Sequence, residues 1–127
     1  MDAYDDMIEM LKKAKRDHGE KVRGNFHFFV GDKKIAEKVL ELGMTMSFSG
    51  VITFAKEYEE VVRFVPIEMM HAETDSPYVA PTAFRGKRNQ PLYVKEVIAK
   101  ISEIKGIDGE VVREQLVKNA KRIFGIE

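Results

Sequence analysis

The sequence predicts an α/β fold built on three parallel strands with flanking helices. Segments of helical period alternate with short strand-like runs, the pattern of βαβ units with right-handed crossovers. The chain of 127 residues is one domain's worth, able to bury a core but short for a large barrel. No interdomain linker, internal repeat or low-complexity tract interrupts it, so residues 1–127 read as a single domain.

Residues 3–18 carry Met7, Ile8, Leu11 and Ala14 at helical spacing, and Gly19 offers a stop. Residues 22–30 read as a first strand. Asp32 can cap a second helix, in which Ile35, Ala36, Val39 and Leu40 form one stripe before Gly43. A second strand is expected from Met44 to Thr53. A short helix follows at 55–65 with Tyr58, Val61, Val62 and Val65, closed by Pro66. The third strand is expected from about Ile67 to Thr74. Pro91 suits the first turn of a helix whose Val94, Val97, Ile98, Ile101 and Ile104 face inward. Beyond Gly106, Asp108 can cap a last helix with Val111, Val112, Leu116, Ala120, Ile123 and Phe124. The long segment Ser76 to Gln90 fits neither pattern, and loops of that length in compact domains usually carry function.

Side chains alternate faces along a strand. Asn25, His27 and Phe29 would share one face of the first strand, opposite Phe26, Phe28 and Val30. Thr45, Ser47 and Ser49 would oppose Met44, Met46 and Phe48, and His71, Glu73 and Asp75 would oppose Met70, Ala72 and Thr74. Each strand then offers an apolar face to the helices and a polar face to a common groove.

Composition narrows the function. Lys plus Arg and Asp plus Glu each number 21, for a formal net charge of zero. That argues against binding nucleic acid through a broad basic surface, whose affinity comes from many phosphate contacts, while leaving room for a small catalytic footprint. Absence of cysteine removes disulfides and thiolate metal sites. No apolar run approaches ~18 residues, so no membrane span is expected. The acidic, helical start is unlike a signal peptide, which makes a cytoplasmic location the expectation.

The candidate chemistry lies at strand ends. His27 and Asp75 sit near the C-terminal ends of their strands, the edge where parallel α/β folds build sites. Imidazole and carboxylate suit zinc, manganese or iron, and a bound metal can acidify water for hydrolysis. The same spacing also suits a histidine hydrogen-bonded in a sheet and an aspartate capping a turn. Glu73 shares the face of Asp75 and can orient a water or hold a ligand from behind; a salt bridge to a nearby cation is the other reading. His71, deeper on that strand, reads as a satisfied interior histidine, and His18 as a helix C-terminal residue favoured by the macrodipole. Arg85, Lys87 and Arg88 with Gly86 can clamp a phosphate, or simply stand in solvent. Ser47, Ser49 and Gly50 either contact substrate or complete the groove wall. The methionines at 44, 46, 69 and 70 read as core.

Several of these segments together resemble the TatD family of metal-dependent deoxyribonucleases, within the amidohydrolase-like barrels. They are Phe26-His27-Phe28-Phe29, Ser47-Phe48-Ser49-Gly50, Glu73-Thr74-Asp75-Ser76-Pro77-Tyr78, Arg85-Gly86-Lys87-Arg88-Asn89 with Pro91, and Asn119-Ala120-Lys121-Arg122-Ile123-Phe124. They occur in the family's order and approximate spacing. The resemblance implies a partial (β/α) TIM-type barrel, its C-terminal portion lacking the first strands. It also implies divalent metal ions (Mg, Mn or Zn) and phosphodiester hydrolysis of DNA. By it, His27 and Asp75 are metal-site residues, with Asp75, His27 and Glu73 the catalytic group. Arg85, Lys87, Ser76 and Asn89 are the expected substrate contacts. The family's His-x-His pair, its glutamate and a further histidine have no counterpart here, so this chain offers two ligands where catalytic sites use three or more. The chain is therefore expected to act as a fragment or half of a split enzyme that needs an N-terminal half or self-association. The alternatives are a non-catalytic α/β remnant that oligomerises through its open sheet, and a weak nucleic-acid binder using residues 85–88.

Overall fold

A three-stranded parallel sheet, ordered β1-β2-β3, forms the centre of the computed structural model, which describes residues 3–127. In chain order the elements are α1 (Ala3–His18), β1 (Asn25–Phe26), α2 (Lys33–Glu41), β2 (Thr45–Phe48), α3 (Glu59–Phe64), β3 (Met70–Ala72), α4 (Val94–Lys105) and α5 (Gly109–Phe124). Asn25 pairs with Thr45 across β1 and β2, and Ser47 pairs with His71 across β2 and β3. The alternation of helix and strand, and the parallel pairing, are as the sequence predicts.

Helix ends follow local chemistry. The Asp32 carboxylate accepts from Ile35 N at 3.0 Å to start α2, and Asp108 accepts from Glu110 N and Val111 N to start α5. Gly106 and Gly125, both at φ 65°, close α4 and α5 in the left-handed conformation that glycine adopts without a Cβ penalty. In α1, Asp5 and Asp6 lie in the first turn and Lys15, Arg16 and His18 in the last, matching the helix dipole.

The strands are shorter than the sequence suggests, each for an identifiable reason. After β1, Phe28 adopts φ 50° and turns the chain, although Phe29 N still donates to Ser47 O at 2.9 Å. The turn reverses the expected alternation. Phe29, placed by simple parity with Asn25 and His27, is instead buried in the core, its ring edge-on to Phe48 at 6.0 Å. Beyond β2, Ser49 accepts from Val51 N and the chain enters a 3-10 turn over Gly50–Thr53. Another 3-10 turn at Ile67–Met69 delays the start of β3.

The core lies between the apolar sheet face and the helices. Met46, Phe48 and Met70 supply the sheet side, and Val39, Val62, Ile101 and Val112 are among the fully buried helix residues. Burying each such side chain contributes about 1.5–3 kcal/mol. Asn119 of α5 is wholly buried and donates from Nδ2 to Ile67 O at 2.7 Å and Met70 O at 2.8 Å. It ties the last helix to the entrance of β3. Gln115 Nε2 donates to its Oδ1 at 2.9 Å.

Among the described residues, both outer strands pair on one side only. A groove of about 360 Å3 runs beside β1, lined by Met7, Leu11, Val22, Phe26 and Met44 among others. A second, of about 260 Å3, lies near β3 against Val94, Ile98, Val117 and Phe124. Among the described residues, no helix is long and apolar enough to cross a membrane.

Candidate active site

The polar faces of the three strands meet in one hydrogen-bonded ladder. His71 Nε2 lies 2.9 Å from Thr45 Oγ1, and Thr45 Oγ1 donates to Asn25 Oδ1 at 3.1 Å. Asn25 Nδ2 donates to Ser47 Oγ at 2.9 Å, and Ser47 Oγ donates to Glu73 Oε2. Every buried side-chain nitrogen and oxygen among the described residues has such a partner, as burial demands. His71 is thus the satisfied interior histidine the sequence suggests. Burial lowers its pKa from the ordinary 6.5, the Arg122 cation lowers it further, and Glu73 opposes them.

At the open end of this ladder stands His27. Its Nδ1 lies 2.8 Å from Glu73 Oε2, and its Nε2 faces Asp75 Oδ1 at 3.6 Å. Glu73 Oε1 also accepts the Phe28 N–H at 2.9 Å. The geometry has simple local origins. The turn at Phe28 frees His27 from the sheet, leaving its side chain 66% exposed. Glu73 N continues the ladder to Phe48 O at 2.9 Å, so the Glu73 side chain stays on the polar face. Asp75 takes φ 57°, a region that aspartate tolerates better than most residues, and brings its carboxylate beside the imidazole. An open groove of about 410 Å3 lies in front, lined by Asn25, His27, Ser47, His71, Glu73 and Phe124 among others.

The donor set suits one side of a divalent-metal site. Two ligands each ~2.1 Å from a tetrahedral metal stand ~3.4 Å apart, close to the 3.6 Å between His27 Nε2 and Asp75 Oδ1. A carboxylate behind the other imidazole nitrogen is the usual support of a metal-binding histidine, and Glu73 occupies that position. The set is incomplete: among the described residues, no group of three or more His, Cys, Asp or Glu is placed to hold an ion.

The four expected substrate contacts fall in different surroundings. Ser76 is exposed next to Asp75, its hydroxyl donating to Thr74 Oγ1 at 2.9 Å. Arg85 is exposed but turned onto the rim, donating to Ala80 O at 3.2 Å with its guanidinium 4.3 Å from the centre of the Phe54 ring. Lys87 is exposed. Asn89 is buried, and its Nδ2 donates to Thr74 O at 2.6 Å and Tyr78 O at 2.7 Å. Its amide shapes the loop from inside. Sequence reasoning did not assign a role to Asn25, whose signal was its shared parity with Ser47 and Glu73. It also missed Phe124 as a wall of the groove, for which a helix-period pattern gives no sign.

Parallel strands in an open sheet with flanking helices bring a carboxylate-backed histidine and an aspartate together at one end of the sheet. The chain belongs to the TatD family: the family model described as TatD related DNase matches residues 1–125. The sequence is 39% identical over 127 residues to the uncharacterized metal-dependent hydrolase YabD of Bacillus subtilis strain 168, covering 98% of this chain and 49% of that protein. It is 38% identical over 129 residues to the uncharacterized metal-dependent hydrolase YcfH of Escherichia coli K12, covering 99% and 47%. Solved structures show the same fold. The TatD homolog YJJV of Escherichia coli K12 superposes with a TM-score of 0.86 at 24% identity, over 98% of this chain and 47% of that one. A TatD family hydrolase of Entamoeba histolytica superposes at 0.78 with 19% identity, over 94% and 48%. The chain spans about half the length of the curated relatives it matches.

Proposed function

We propose that this chain contributes the C-terminal part of a metal-dependent phosphodiesterase acting on DNA, with His27, Glu73 and Asp75 forming one side of its metal centre. The observation that carries the reading is the His27 ring held by Glu73 at Nδ1 while Nε2 faces Asp75. The family description and the names of the relatives support hydrolysis and metal dependence. His27 Nε2 and Asp75 Oδ1 would hold the divalent ion, Mg, Mn or Zn. When bound, the ion supplies Lewis-acid polarisation of a phosphate oxygen and acidification of water.

The chain's own residues do the remaining work. Glu73 orients His27. Asp75, partly exposed beside His27, would hold the ion or accept a proton. Lys87 and Ser76 stand exposed on the loop that begins beside Asp75, where cation and hydroxyl suit a phosphodiester; Arg85 reaches substrate only by leaving Phe54. The missing ligands would come from further residues that close the sheet, supplied by an N-terminal half or by a second copy.

The test is cleavage of a labelled DNA oligonucleotide with added Mn2+ or Mg2+. Metal-dependent cleavage that Asp75→Asn reduces at least 100-fold is the expected result once the ligand set is complete. Equal cleavage by wild type and Asp75→Asn overturns the site. The second reading, a non-catalytic module that associates through its sheet, is favoured by the outer strands, each of which pairs on one side only among the described residues. Association without metal-dependent cleavage, even with a complementary N-terminal half present, would establish it.

A further inference from the structure

His27 stands between two carboxylates that make different contacts. Glu73 Oε2 lies 2.8 Å from Nδ1 and also accepts the Ser47 hydroxyl, while Oε1 accepts the Phe28 N–H at 2.9 Å. Both Glu73 oxygens already accept hydrogen bonds, from the Ser47 hydroxyl and the Phe28 N–H, so Glu73 meets His27 as an acceptor and calls for a proton at Nδ1. Asp75 Oδ1, at 3.6 Å from Nε2, is beyond hydrogen-bond distance.

The direction of the ladder behind Glu73 points the same way. Thr45 donates to Asn25 Oδ1, which leaves the Asn25 amide to donate to Ser47, which in turn donates to Glu73. The donors run in one direction along this chain, and the last of them, Ser47, meets the carboxylate. Glu73 is also anchored through Phe28 N, at the turn where β1 releases His27.

We propose that Glu73 is a positioning residue that fixes His27 in its Nδ1–H tautomer and presents the Nε2 lone pair to the space shared with Asp75. The Asn25–Ser47 donor chain holds Glu73 to that task. Unsupported neutral histidine favours the opposite tautomer, Nε2–H, which would turn a proton rather than a lone pair toward Asp75. This deepens the metal-centre reading and rests on it only for what the presented nitrogen binds.

The experiment is long-range 1H–15N correlation of the imidazole rings in uniformly 15N-labelled, metal-free protein at a pH where they are neutral. The expected wild-type spectrum gives His27 a pyrrole-type Nδ1 and a pyridine-type Nε2. In Glu73→Gln the population moves toward Nε2–H, with a backbone amide spectrum that stays native. In Ser47→Ala it moves part of the way. Zn2+ titration followed on the same ring signals gives an affinity about 10–100-fold weaker in Glu73→Gln. A wild-type His27 in the Nε2–H form overturns the proposal, and so does an unchanged Nδ1–H population in a natively folded Glu73→Gln. If Glu73→Gln loses its native amide spectrum, the wild-type tautomer and the Ser47→Ala shift decide. A retained tautomer without Zn2+ binding contradicts the metal-centre reading and leaves the positioning role standing.

Discussion

His71 illustrates how a single buried group ties the site to stability. Its folded pKa lies below 6.5 because of burial, with the Arg122 cation adding to the shift and Glu73 opposing it. The unfolded chain therefore binds a proton that the native state resists. Stability falls as pH drops through 6.5 and levels off only below the native pKa. Urea midpoints between about pH 7.5 and about pH 5.5 should fall more steeply in wild type than in His71→Gln; parallel slopes would contradict this. Asn119 makes a second residue-scale case, since Asn119→Ala strands two buried carbonyls and should cost about 2–4 kcal/mol in chemical unfolding. A loss below about 0.5 kcal/mol would mean that water or a rotated neighbour replaces the amide. His71 was legible from parity on a strand whose alternate residues are apolar. Asn119 was not: nothing in a helix-period pattern says that one polar position will point inward at two free carbonyls.

At the scale of elements, the loop from Ser76 to Gln90 is held both near its end and at its middle, where Thr82 bonds to Thr53. Asn89 bonds back to Thr74 and Tyr78 carbonyls, and Gly50 passes so close to the loop that an added Cβ would lie 2.5 Å from Val79 O and 3.1 Å from Pro81 N. Val79 itself sits at φ 56°, a conformation that costs a β-branched residue on the order of 1–3 kcal/mol. Gly50→Ala should push the 79–81 segment away and destabilise by about 1–3 kcal/mol, measurable as a lower urea midpoint. Asn89→Ala should speed amide exchange at Tyr78, whose N–H donates to Asp75 O at 3.0 Å. Unchanged exchange would show that the loop holds itself. The sequence marks the helices well because Asp32, Asp108, Gly106 and Pro91 are local signals with local causes. It overextends the strands because Phe28 turns into the left-handed region without glycine or asparagine to announce it. That turn, visible only in three dimensions, is also what frees His27 for the site.

Considered whole, the molecule gathers His27, Glu73 and Asp75 at one end of the sheet, and among the described residues each outer strand pairs with another strand on one side only. The grooves beside β1 and β3 carry exposed apolar side chains, with Met7 48% and Phe124 55% exposed. Open edges flanked by apolar surface favour pairing with another chain. Sedimentation of this chain alone should show association that grows with concentration, and a compact monomer throughout would contradict it. The family was legible in the sequence from its strand-end segments, and the family model matches residues 1–125. The support that Asn25 and Ser47 give to Glu73 was not, because it depends on a register that only the folded sheet fixes.

The most direct test of the central claim is anomalous diffraction at the manganese edge from a crystal soaked in Mn2+. A peak between His27 Nε2 and Asp75 Oδ1, lost in Asp75→Asn, is the predicted result. A manganese peak elsewhere in the groove with none between those two atoms would contradict it.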